Sequence, residues 1–315
     1  MKAEIKGNGR KRNGKQNFFQ KRKRCAGLYI LIAIPVALVI LFGYIPMVGN
    51  LIAFQDYSVR GGLFGSKFVG LKYFKQFLTM PIFKQVFRNT IILSLYGLLA
   101  GFPIPILLAL AFNEMKNGRL KKTMQTVTYA PYFISTVVIV GILQNVFSYR
   151  FGIINEVVKL FGSDPIDFVG GIKYFRSMYV WSGVWQGAGY SAVLYIAALS
   201  GIDPCLHEAA IIDGATRVQR VKAIDLPGIM PMIVISFIMN TGSLLNIGFE
   251  KVFLMQNPSN YAVSEIISTY VYKVGVKQAQ FSYSTAISLF NAVINFAILF
   301  VTNKIAKKVG ETSLF

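Results

Sequence analysis

At 315 residues, with 54% apolar and only 15% charged side chains and a mean hydropathy of +0.52, the chain is too apolar for an ordinary soluble domain of its length. A formal net charge of +20 does not indicate a nucleic-acid module, because most aromatics lie inside apolar runs and not among the basic residues. Two distant cysteines, Cys25 and Cys205, and one histidine, His207, exclude a disulfide framework and a Cys-rich metal site.

Residues 1–24 hold ten Lys or Arg among Gly, Asn and Gln, which predicts a disordered basic cytoplasmic tail. Within it, Gly9, Gly14 and Lys15 imitate the start of a phosphate-binding loop. Gln16 stands where Ser or Thr would be needed and no strand precedes it, so the match is read as chance. A signal peptide competes for the tail and first apolar run. That run is longer than an h-region, however, and no small-x-small cleavage site follows.

Residues 25–315 are expected to form one transmembrane domain. Six charge-free segments, 27–48, 90–112, 127–148, 178–200, 228–249 and 281–302, each approach the ~20 residues a spanning helix needs. The fold class is therefore an all-α polytopic membrane protein of about six transmembrane helices. Pro35, Pro103, Pro105 and Pro231 predict kinks. Gly97 with Gly101, and Gly183 with Gly187, have the G-x-x-x-G spacing that lets helix backbones approach closely, and are read as sites of packing within the chain or against a partner. No Asp, Glu, Lys or Arg falls mid-span, so proton-driven transport lacks its relay groups and the energy source is expected outside this chain.

With the N-terminus inside, segments 1–26, 113–126, 201–227 and 303–315 carry 20 Lys or Arg. The longer segments 49–89, 149–177 and 250–280 carry 13. The positive-inside rule then places both termini in the cytoplasm of a multi-pass plasma-membrane protein. The first external segment contains Phe68-Val69-Gly70-Leu71-Lys72-Tyr73-Phe74, which is expected either to fold against the outer face or a docked partner, or to anchor at the interface through its aromatics. The external segments hold 13 basic against 6 acidic residues, a field that would favour an acidic solute or an acidic delivering protein.

The loop 201–227 carries the strongest local signal. Asp203 can cap a helix whose first turn accepts Pro204, an Ala-rich stretch runs to Ile212, and Gly214 supplies a turn. A second short helix through the basic residues reaches Pro227. The expected product is a helix-turn-helix elbow projecting into the cytoplasm. His207 beside Glu208 has neither a nucleophile nor a second ligand nearby in sequence, and is read as an exposed or interface histidine.

Glu208-Ala209-Ala210, Gly214 and Ile224-x-Leu226-Pro227 resemble the EAA loop of binding-protein-dependent ABC importers. Asp213-Gly214-Ala215, Phe68-Val69-Gly70-Leu71 and Arg88-Asn89-Thr90 are similar to the carbohydrate branch related to the maltose and lipo-oligosaccharide permeases. The resemblance implies that the elbow is a coupling helix seated in a cleft of an ATP-binding subunit. Carried over by position, Glu208 would make polar contact with the ATPase, Ala209 and Ala210 would allow close approach, and Gly214 would form the turn between Asp213 and Ala215. It further implies a homologous second permease subunit, two ATP-binding subunits that alone bind ATP and Mg, and an extracellular or periplasmic solute-binding protein. This chain would hold no cofactor and no catalytic or metal site, and would contact membrane lipid but no nucleic acid. The bacterial plasma membrane is the implied location.

Sugars are bound by aromatic faces and by uncharged amides and hydroxyls. The candidates for a solute path are Gln144, Asn145, Trp185, Gln186, Tyr190, Asn240 and Asn246, with Trp181 as a further platform; each competes with a role as helix-helix glue. Two other readings stay open: an ABC permease for a non-sugar solute, and a polytopic membrane enzyme, for which no cluster of carboxylates or histidines is evident.

Overall fold

A computed structural model describes residues 29–116 and 118–310. The basic tail 1–24, Cys25 and the phosphate-loop imitation at Gly9–Lys15 lie outside the described residues. Among the described residues the chain is almost wholly helical, apart from one two-stranded hairpin.

Helix α1 (Tyr29–Phe54) is long and apolar enough to cross a membrane, and among the described residues no side chain of its most apolar stretch is buried. The hairpin β1 (Gln55–Asp56) and β2 (Lys67–Phe68) closes directly after it, with Gln55 opposite Phe68. Gly70 at φ 59° makes the turn out of β2, while the amides of Val69 and Gly70 donate to the Phe54 carbonyl. The Phe-Val-Gly-Leu segment is thus folded onto the end of α1, though the Phe68 ring itself remains exposed.

Helix α2 (Lys72–Thr79) leads into α3 (Pro81–Gly101) and α4 (Pro103–Glu114), which together form one apolar run of 34 residues, Pro81–Glu114. The span begins nine residues before the first charge-free position because Lys84 and Arg88 lie within its first turns. Asn89 and Thr90 there are buried and act as staples. Asn89 Nδ2 donates to the carbonyls of Ala262 and Glu265, Arg176 donates to Asn89 Oδ1, and the Ile267 amide donates to Thr90 Oγ1.

The segment 127–148 is not one straight rod. Helix α5 (Gly118–Phe133) meets α6 (Thr136–Val146) at a bend of 101°. Pro131 sits in a closing 3-10 turn, Ile134 is extended at ψ 132°, and the Ser135 hydroxyl caps α6 by accepting from the Val138 amide. The carbonyl of Ile134, freed by the break, is met by Gln186 Nε2 at 3.0 Å.

After α7 (Ile153–Leu160), the 28-residue α8 (Ile172–Leu199) runs through the bundle as its central helix. It packs on α3, α4 and α5. Next come the elbow helices α9 (Pro204–Ile212) and α10 (Arg217–Gly228), then α11 (Met230–Gly242), set at 60° to α10 across Ile229, with Pro231 in its first turn. Helix α12 (Phe249–Met255) folds back onto α6, and α13 (Ile267–Tyr272) precedes the long α14 (Phe281–Gly310).

Three apolar clusters hold this together. One joins Leu93, Ile139, Phe175, Val252 and Ile266, a second Phe77, Val86, Ile267 and Ile287, and a third Ile106, Ala109, Ala192, Leu199 and Ile229. Close helix approach on glycine occurs at Gly189, where an added Cβ would collide with the Thr128 carbonyl. Among the described residues a Cβ added at Gly97 or Gly187 meets nothing within 4 Å, so these members of the two G-x-x-x-G pairs make no packing contact there. Instead all four of those glycines leave room for a cavity.

Candidate functional site

Two features carry chemistry: the elbow and the cavity beside α8. In the elbow, Asp203 accepts from the Cys205 amide at 2.9 Å, and Pro204 occupies the first helical position, where a missing N–H costs nothing. Helix α9 ends as a Schellman turn. The Ala215 amide donates to the Ala210 carbonyl, the Gly214 amide to Ile211, and Gly214 has φ 78°. Thr216 and Gln219 then form a capping box that starts the second arm.

The roots of the elbow are tied to the bundle. His207 Nε2 lies 3.3 Å from Asp225 Oδ1, which also accepts from Asn113 at 3.4 Å, and Arg220 pairs with Glu114 at 3.7 Å. Gly228 admits the Ile202 side chain, whose Cδ1 would stand 2.6 Å from an added Cβ. Burial pushes the Asp225 carboxyl up from its ordinary value, and the facing His207 opposes that shift. His207 is therefore a root contact of the elbow and not a freely exposed side chain, because Asp225 on the returning arm faces it. The π turn Val221–Asp225 is what aims Asp225 inward.

The tip is the opposite case. Glu208, Ala209, Asp213 and Gly214 are exposed, and Ala210 and Ala215 are partly so. Leu206, Ile211, Ile212 and Val218 add large apolar side chains to the same exposed surface, Ile212 at 85%.

The cavity is open-sided, about 850 Å³, and walled by α3, α4, α8 and α11. Tyr190 and Asn240 line it, with Ser236, Ser243 and Tyr132. Tyr190 stacks on Tyr132 with ring centroids 4.0 Å apart, giving a paired aromatic wall. A side chamber of about 290 Å³ shares Gly97, Gly101, Tyr179 and Ser191 with it and is lined also by Gln186 and Lys251.

The other path candidates do not converge here. Gln144 and Asn145 line a separate recess, Gln144 donating to the Leu254 carbonyl and Asn145 to Gly141 of its own helix. Asn246 accepts from Asn291 and Asn295 in a recess on α14. Trp185 is half exposed and lines neither chamber, and Trp181 donates to the Tyr96 hydroxyl at 2.8 Å. Lys251 is the residue that the sequence concealed: its position in a charged connecting segment gives no hint that α12 turns back into the bundle. Among the described residues no group of His, Cys, Asp and Glu could hold a metal ion.

Residues 101–311 match the family described as binding-protein-dependent transport system inner membrane component. The chain is 41% identical over 288 residues to the polygalacturonan/rhamnogalacturonan transport system permease protein YteP of Bacillus subtilis (strain 168), covering 91% of this chain and 90% of that one. It is 40% identical over 293 residues to protein LplB of the same organism, covering 93% and 92%. Its fold superposes with TM-score 0.86 and 33% identity, over 94% of this chain and 99% of the other, on a chain of a bacterial alginate ABC transporter solved in complex with an alginate pentasaccharide-bound periplasmic protein. With the elbow, the apolar helices and these likenesses together, the chain belongs to the family of binding-protein-dependent inner membrane components and is a permease subunit of an ABC importer.

Proposed function

We propose that this permease subunit imports an acidic oligosaccharide, pairing with a homologous second permease to enclose the solute path and with two ATP-binding subunits that supply the energy. The exposed tip of the elbow carries the reading: Glu208, two alanines small enough for close approach and four large apolar side chains form a surface suited to a protein cleft. The elbow lies on the cytoplasmic side, and both termini with it, as the positive-inside count favours.

ATP binding would draw the two couplers together and, through the tied roots at Asp225 and Glu114, swing α8 and α11 so that the cavity opens outward. Hydrolysis would reset it inward. A solute-binding protein would deliver cargo to the outer face. The sugar class is supported by the Tyr132–Tyr190 aromatic wall with amides and hydroxyls beside it. The acidic class is supported by the excess of basic residues in the outer segments and by two relatives that handle polygalacturonan/rhamnogalacturonan and the acidic polysaccharide alginate.

The test is uptake of short oligouronates by proteoliposomes holding the complete importer, with wild-type chain and with Glu208→Lys. The wild type should couple ATP hydrolysis to uptake, and the variant should insert and assemble yet lose cargo-stimulated ATPase and uptake together. Coupled uptake by Glu208→Lys would refute the coupling role, and transport of amino acids in place of sugars would refute the substrate class.

A further inference from the structure

Lys251 is a buried cation whose ammonium meets no hydrogen-bond acceptor among the described residues; the residue is 8% exposed. It stands over the face of the Tyr179 ring, 5.2 Å from the centroid, and beside Gly183, where an added Cβ would stand 3.3 Å from Nζ. Gly183 lies eleven residues into α8, so the charge sits roughly 16 Å along that helix from its start. Its placement follows from α12: Lys251, Val252 and Met255 form that short helix's inward face, and Val252 and Met255 are anchored in the apolar cluster around Ile139 and Phe175. The anchored helix has no choice but to aim the lysine into the side chamber, where the stripe Gly97, Gly101, Gly183 and Gly187 leaves space in front of it.

An unpaired buried ammonium is costly, and an apolar residue of similar volume would relieve that cost. A charge held in this way within a transport path is a functional group by default. We propose that Lys251 is a carboxylate-binding residue of the path, receiving a uronate group of the passing oligosaccharide while the Tyr132–Tyr190 wall packs on the sugar rings. This rests on the acidic-oligosaccharide reading above. The side chamber adjoins the main cavity, the two having Gly97, Gly101, Pro105, Tyr179 and Ser191 as common lining, so the carboxylate of a ring held against Tyr190 would reach toward Nζ across that shared lining. A carboxylate there would supply the acceptor that Nζ lacks among the described residues, forming a charge-assisted hydrogen bond at a buried ammonium.

The experiment compares wild type, Lys251→Arg and Lys251→Met in the complete importer in proteoliposomes, using short oligouronates and their methyl esters, which keep the rings and lose the charge. Lys251→Met should assemble, melt at the same temperature as wild type or higher, and lose uptake of the acid by about tenfold or more. Lys251→Arg should retain most of it. The ester should not distinguish wild type from Lys251→Met. A Lys251→Met importer that moves oligouronates at the wild-type rate overturns the assignment and leaves the importer reading standing. A lower melting temperature together with equal loss of acid and ester uptake also overturns it, making Lys251 a structural residue packed on Tyr179. A wild-type importer that refuses oligouronates but moves neutral oligosaccharides refutes both the acidic reading and the lysine's role.

Discussion

His207 Nε2 stands 3.3 Å from the Oδ1 of Asp225, joining the outgoing and returning arms of the elbow at their roots. Asp225 is wholly buried and its other oxygen meets no hydrogen-bond partner among the described residues, so His207 and Asn113 are the groups there that satisfy it. Replacing His207 by Ala should destabilise the assembled importer by about 1–3 kcal/mol, the cost of stranding a buried polar group. Adding Asp225→Asn should recover part of that loss, since the amide carries no charge to strand. Thermal unfolding of the two variants in detergent reads the difference, and an unchanged melting point for His207→Ala would show that the contact carries no load.

Gly214 provides the sharpest local test of the elbow's shape. At φ 78° an L-residue with a branched Cβ is strained, whereas Asn visits this region at low cost. Gly214→Asn should transport nearly as well as wild type, and Gly214→Val should lose most uptake while still inserting. The left-handed penalty is roughly 1–2 kcal/mol, enough to displace a tip whose Schellman bonds at Ala210 and Ile211 are few. Initial uptake rates, normalised to the amount of inserted subunit, decide between them.

Much of the elbow was legible because its signals are local. Asp203, Pro204 and Gly214 each dictate a backbone state within a few residues, and that state is what the structure holds. Three of the charge-free runs overlap helices long and apolar enough to cross a membrane alone, Tyr29–Phe54, Pro81–Glu114 and Phe281–Lys308, since length and absence of charge are properties of the sequence alone, whereas the runs 127–148, 178–200 and 228–249 fall on bent helix pairs. What remained hidden depends on tertiary placement. The break at Ile134 is made acceptable by Gln186, 52 residues away, and the inward aim of Lys251 exists only because α12 folds back onto α6. Glycine spacing predicts packing within the chain or against a partner, but it cannot tell a glycine that admits a neighbour of the same chain from one that leaves space beside it, as Gly97 and Gly187 do among the described residues. Gly189, outside both pairs, is the one pressed against Thr128.

That distinction predicts opposite outcomes for neighbouring substitutions. Gly189→Val drives a branched side chain into the Thr128 backbone, which should cost about 1–3 kcal/mol or more and lower the yield of inserted, assembled importer. Gly187→Ala meets nothing within 4 Å among the described residues and should assemble normally, any effect appearing in transport because the residue lines the side chamber. Quantifying membrane-inserted complex for both variants separates the two, and equal yields would contradict the packing geometry.

The most direct test uses the cysteine that the elbow already carries. Cys205 is free and exposed in the first turn of α9, three residues before Glu208. In a Cys25→Ser background, a bifunctional thiol reagent applied to inside-out vesicles of the complete importer should link Cys205 to a cysteine placed in the cleft of the ATP-binding subunit, in a yield that changes with nucleotide, and the link should arrest uptake. Labelling of Cys205 in intact cells by a membrane-impermeant maleimide, with no link to the ATP-binding subunit from the inner side, would place the elbow outside and contradict the account.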